Sequence, residues 1–77
     1  MFTIKVIDTR YNCPAENEKV SIEVKGGLFR FGFRPDEYTD RDGEVHYDDL
    51  DDVKVAVYLR GKKQFEGYIS GRKVFYL

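Results

Sequence analysis

The chain has 77 residues, 35% of them charged, yet its net charge is only −1. A single domain over residues 1–77 is therefore expected, and nucleic-acid binding driven by bulk positive charge is not. Cys13 is the sole cysteine, which rules out an intrachain disulfide.

No apolar run approaches the ~20 residues of a membrane-spanning helix, and the segment from Met1 to Val6 lacks a basic stretch followed by a long apolar one. A reducing, cytoplasmic setting without membrane contact is the expectation.

In chain order, the first element is a strand with Phe2, Ile4 and Val6 on one face. Arg10 through Glu18, with Asn12, Pro14 and Asn17, reads as a surface loop. Val20, Ile22 and Val24 then alternate with Ser21, Glu23 and Lys25, as a half-buried strand requires. Gly26-Gly27 supplies turn chemistry, and Phe29, Phe31 and Phe33 alternate with Arg30 and Arg34, so residues 20–34 read as a hairpin.

Asp40-Arg41-Asp42-Gly43 is the next turn and leads into Val45 and Tyr47. Val53, Val55, Val57 and Leu59 form a strand against Lys54, Tyr58 and Arg60. Turns at Gly61-Lys62-Lys63 and Ser70-Gly71-Arg72 bound a strand from Phe65 to Ile69, and Val74 through Tyr76 closes the chain. In a hairpin of residues 53–60 with 65–70, putting Leu59, Val57 and Val55 on the same face as Phe65, Gly67 and Ile69 places Tyr58 and Tyr68 together on the other.

These signals predict an all-β, mostly antiparallel two-sheet sandwich of about seven strands. The expected core is Phe2, Ile4, Val6, Val20, Ile22, Val24, Phe29, Phe31, Phe33, Val45, Tyr47, Val55, Val57 and Ile69.

Ile4-Lys5-Val6-Ile7-Asp8, then Pro14, then Val20 to Val24, then Thr39-Asp40-Arg41-Asp42-Gly43-Glu44-Val45-His46-Tyr47 form a recognisable succession. It resembles the immunoglobulin-like, prealbumin-like sandwiches: the carboxypeptidase regulatory-like and transthyretin-like domains. Those domains combine a strand ending near Asp, a loop with Pro, an x-V-x-V strand and a T-D-x-x-G turn. The resemblance implies an accessory, structural or ligand-binding module and brings no catalytic residue with it.

Charge is segregated along the chain. Residues 36–52 hold nine acids against Arg41, whereas residues 53–77 hold six bases against Glu66. The acids suggest calcium, a hard cation that takes several oxygens. With Gly43 at the EF-hand glycine, however, Tyr38 falls where the first Asp belongs and Asp49 where the bidentate Glu belongs, so turn-shaping and solvated acids are the competing reading.

His46 lies between inward-facing neighbours and is expected to face solvent. Cys13 and His46 lack any sign of a nucleophile pair, and Ser21 and Ser70 lack a G-x-S-x-G setting. No enzyme and no cofactor are expected.

The preferred expectation is a protein-binding or self-associating module acting through Lys54, Tyr58, Arg60 and Tyr68, or through an edge strand. The alternatives are single-stranded nucleic acid or another polyanion held by Arg60, Lys62, Lys63, Arg72 and Lys73 with interleaved rings, and a calcium-binding sandwich.

Overall fold

The computed structural model describes residues 1–26 and 32–77. Within them the chain forms nine strands and no helix: β1 (Phe2–Asp8), β2 (Cys13–Pro14), β3 (Lys19–Gly26), β4 (Gly32–Phe33), β5 (Glu37–Tyr38), β6 (Glu44–Tyr47), β7 (Lys54–Leu59), β8 (Lys62–Tyr68) and β9 (Gly71–Tyr76). The count exceeds seven because β2 and β5 are two-residue pieces that complete ladders along longer strands.

Two sheets result. In the first, β1 pairs β6 and β2 antiparallel and β9 in parallel. In the second, β3 pairs β4, β5 and β7, and β7 pairs β8, all antiparallel. The last strand thus completes its own chain's sheet beside the first strand.

Burying one face of each sheet fixes the register. Ile4, Val6, Val20, Ile22, Val55 and Val57 are fully buried between the sheets, together with Phe2, Val24, Val45, Tyr47 and Ile69. Ala15, Leu50, Val53, Leu59 and Phe75 join this core although the expected set omitted them. Phe2 and Tyr47 stack with ring centroids 5.0 Å apart. Burial pushes the Tyr47 phenol well above its ordinary pKa, and its hydroxyl has no hydrogen-bond partner among the described residues.

Several sequence expectations need correction. Phe33 is 64% exposed, because it stands directly opposite Glu23 on β3 and directly opposed residues share a face. Phe29, Phe31 and the turn at Gly27 lie outside the described residues.

The β7–β8 turn consists of Arg60 (φ 53°) and Gly61 (φ 76°), with Leu59 paired to Lys62. Lys62 and Lys63 therefore belong to a strand. Likewise β9 begins at Gly71 and includes Arg72, which was expected in a turn. The loop 10–18 contains β2, held against Ile7 and Asp8.

One end of the sandwich is fastened by Thr39 to Gly43. Thr39 is buried; its N–H donates to Glu18 O and its carbonyl accepts from Asn17 N, both at 2.9 Å, while Oγ1 accepts from Glu18 N at 2.7 Å and donates to Ala15 O at 2.5 Å. Asp40 Oδ1 accepts the N–H groups of Asp42 and Glu44 at 2.9 and 3.0 Å, and Gly43 N donates to Asp40 O.

Gly43 O then accepts from Val6 N at 2.8 Å, and Val6 O from Ala15 N at 2.9 Å. Gly43 has φ +74°, and a Cβ there would lie 2.6 Å from Val6 O and 3.1 Å from Ala15 N. Gly43→Ala adds left-handed strain to a backbone clash and should cost roughly 3 kcal/mol or more in chemical denaturation. Tyr47→Phe removes a buried, unpaired hydroxyl while keeping the stacked ring, so it should stabilise the chain by roughly 1 kcal/mol in the same assay.

Candidate protein-binding surface

Alternation sends one set of side chains of the second sheet away from the core. Lys19, Ser21, Glu23 and Lys25 of β3, Lys54, Ala56 and Tyr58 of β7, and Glu66 and Tyr68 of β8 all lie on this outer face. Tyr38 joins it opposite Lys19, and Phe33 opposite Glu23. A register shift between Val57 and Tyr58 brings Lys63 opposite Tyr58 and onto the same face.

Phe33, Tyr38, Tyr58 and Tyr68 thus share this face, Tyr38 at the Lys19 end and Tyr68 at the Lys54 end, with Tyr68 71% exposed and Tyr38 59%. The Phe33 and Tyr58 rings pack at 5.7 Å, tilted by 42°. Tyr58 and Tyr68 share the face as expected but do not oppose each other: Tyr58 stands across from Lys63, and Tyr68 across from Lys54.

The charges between the rings pair among themselves. Lys63 Nζ donates to Glu66 Oε1 at 2.7 Å, and Lys25 Nζ lies 3.9 Å from the same oxygen and 3.7 Å from Glu23 Oε1. Ser21 Oγ donates to Asp36 Oδ1 at 2.7 Å, and Lys19 lies 4.0 Å from Asp36. The hydrogen bond from Lys63 holds the Glu66 carboxyl below its ordinary range, and Glu66 in turn raises Lys63. Ala56 is fully buried between its cross-strand neighbours Glu23 and Glu66, although it belongs to the outward set.

Of the eight residues expected to form a site, Lys54, Tyr58, Lys63 and Tyr68 meet on this face. Arg60 sits in the end turn, where its guanidinium donates to Glu18 at 3.2 and 3.3 Å, and Lys62 opens β8 beside it. Arg72 and Lys73 belong to the other sheet: Arg72 Nε is 3.7 Å from Glu44, and Lys73 Nζ lies 4.6 Å over the Phe65 ring. The C-terminal bases therefore form no single patch. Phe33 and Tyr38 complete the face. Phe33 was hidden by its own alternation, which in a sequence does not show which side is buried.

The other constellations are less suggestive. His46 is exposed as expected; its Nδ1 lies 2.8 Å from Thr3 Oγ1, and its Nε2 is 3.6 Å from Glu44 and 3.9 Å from Asp40. Asp40 is occupied by the turn's own N–H groups, Arg34 donates to Asp49 at 2.6 Å, and the amino terminus pairs with Asp51. Among the described residues, no three His, Cys, Asp or Glu side chains are grouped to hold a metal ion. No helix of the described residues is long and apolar enough to cross a membrane. No protein-family model matches this sequence, and the comparison with curated proteins finds no match.

Acid titration provides a check on the network. The Glu44 and Asp42 N–H groups lower Asp40 from its ordinary 3.8, and Lys63 lowers Glu66 from 4.5. Folded values below unfolded ones contribute stability that is complete above the unfolded pKa and is lost as pH falls through the folded one. The thermal midpoint should therefore be flat around neutral pH and decline below pH 4.5. Lys63→Gln should shrink the part of that decline due to Glu66, measured by circular dichroism melts across pH.

Proposed function

We propose that the chain is a non-enzymatic, cytoplasmic protein-binding module of prealbumin-like architecture, and that its recognition surface is the outer face of the five-stranded sheet. The observation that carries this reading is that Phe33, Tyr38, Tyr58 and Tyr68 share one sheet face, with Phe33 packed on Tyr58, while Lys19, Lys25 and Lys63 of that face lie beside carboxylates. Exposed aromatic side chains with rotamer-poor, amphipathic rings are what protein interfaces select, whereas a solvated sheet face has no use for them.

A polyanion draws less support from the same surface. Lys19, Lys25, Lys54 and Lys63 are interleaved with Glu23, Asp36 and Glu66, and Arg60, Lys63 and Arg72 each pair with a carboxylate. Counterion release, the main source of polyanion affinity, needs uncompensated cations. The prealbumin-like assignment is supported by the T-D-x-x-G segment, whose Thr, Asp and Gly each have a specific bonding or steric role at Thr39, Asp40 and Gly43.

The face can be tested without knowing the partner. A random-peptide display library is selected against the wild-type chain and the hits are rebound to a Phe33→Ser/Tyr68→Ser variant, with melting curves confirming that both are folded. The reading predicts that most selected peptides lose at least tenfold in affinity for the variant, about 1.4 kcal/mol or more. Peptides that bind both proteins equally, or a selection yielding only salt-sensitive acidic sequences, would contradict it.

A further inference from the structure

The other sheet carries a second surface at β9. From Gly71 to Tyr76 this strand pairs β1 residue for residue without a bulge, and its outer edge has no strand partner among the described residues. The edge strand of the second sheet, β8, is protected by its bulge and by Lys62, Lys63 and Glu66. β9 has neither a bulge nor a proline, and it has no acid. Alternation places Arg72, Val74 and Tyr76 outward at this edge, with Val74 38% and Tyr76 66% exposed. Phe75 and Lys73 face inward, where Phe75 packs on Phe65 at 6.3 Å and Lys73 caps the same ring.

We propose that two copies of this chain pair through β9, antiparallel and related by a twofold axis at Val74. In that register Val74 faces Val74 of the second copy, and Arg72 faces Tyr76 of the second copy at both ends. The strand's own chemistry selects this occupant. An apolar centre flanked by two cation–aromatic pairs is self-complementary, as an isologous contact requires, whereas a shift placing Arg72 opposite Arg72 would oppose like charges.

The product is one continuous sheet running from β6 of one copy to β6 of the other. The inward Lys73 meets no carboxylate at the junction, and a six-residue strand pair alone buries less than a standard interface. The association is therefore weak and concentration-dependent. It uses the sheet opposite to the one bearing Phe33 and Tyr68, so this proposal and the peptide-binding reading stand or fall separately.

Sedimentation equilibrium from about 10 μM to about 1 mM spans the range in which such a dimer forms. The wild-type mass should climb from 9.0 kDa toward twice that value. Val74→Lys, which opposes lysine to lysine, should stay at the monomer mass throughout. Tyr76→Lys, placed opposite Arg72, should weaken association at least tenfold, whereas Tyr76→Glu at the same position should leave it as tight or tighter. All three variants alter exposed side chains, and melting curves establish that they are folded. A wild-type chain that remains monomeric to the top of the range would overturn the proposal. So would a dimer indifferent to Val74→Lys, or equal weakening by Tyr76→Lys and Tyr76→Glu.

Discussion

The close approach of Gly43 to Val6 and Ala15 is the constraint from which the rest of the sandwich follows. At this point the turn before β6 is pressed against β1, and its carbonyl takes the Val6 N–H while Val6 O takes that of Ala15. No side chain fits between them. A few residues upstream, Thr39 binds the segment 15–18 through its N–H, carbonyl and hydroxyl, and that segment continues directly into β3. One short stretch thus connects the first sheet, through β1, β2 and β6, to the second sheet, through β3 and β5. Two sheets of a 77-residue chain have little apolar area with which to hold each other, so polar fastening at one end contributes in proportion.

That fastening determines what the outer faces can do. With both sheets fixed at the Thr39–Gly43 end and their inner faces packed, alternation presents Lys19, Tyr58, Lys63 and Tyr68 outward on one side, and Arg72, Val74 and Tyr76 on the other. The first side is a set of rings in a neutralised charge lattice. The second is an unprotected strand edge. A rigid β platform lowers the entropy lost when a partner docks, and that suits recognition by shape and stacking. The functional reading depends on this presentation and not on any single reactive group.

Much of this was legible in the residues. Strict alternation at Val20, Ile22 and Val24 and at Val55, Val57 and Leu59 declared both strand and buried face, and put Phe65 and Gly67 on the side of Val57 and Val55; the register that pairs Phe65 with Val57 and not with Leu59 is set by the turn at Arg60-Gly61 and the bulge in β8. The Asp40–Gly43 turn was likewise visible from its composition. What escaped was information that depends on the neighbouring strand. Phe33 faces solvent because it opposes Glu23, and nothing within residues 29–33 contains that fact. The β7–β8 turn was misplaced because Gly61 was read as its start, whereas the positive φ at Arg60 makes Arg60 and Gly61 its two central residues. The grouping of Arg60, Lys62, Lys63, Arg72 and Lys73 failed for a similar reason: proximity in sequence says little when β8 and β9 belong to different sheets.

Native-state amide hydrogen exchange tests the central role of the fastening most directly. If the Thr39–Gly43 segment holds the two sheets as one cooperative unit, the amides of Val6, Ala15, Glu18 and Thr39 should exchange only through global opening, with the same free energy as Ile22 and Val57 in the core strands. Exchange of those four amides by a lower-energy local opening, with the core strands still protected, would show that the sheets are held by apolar packing alone and would contradict the account.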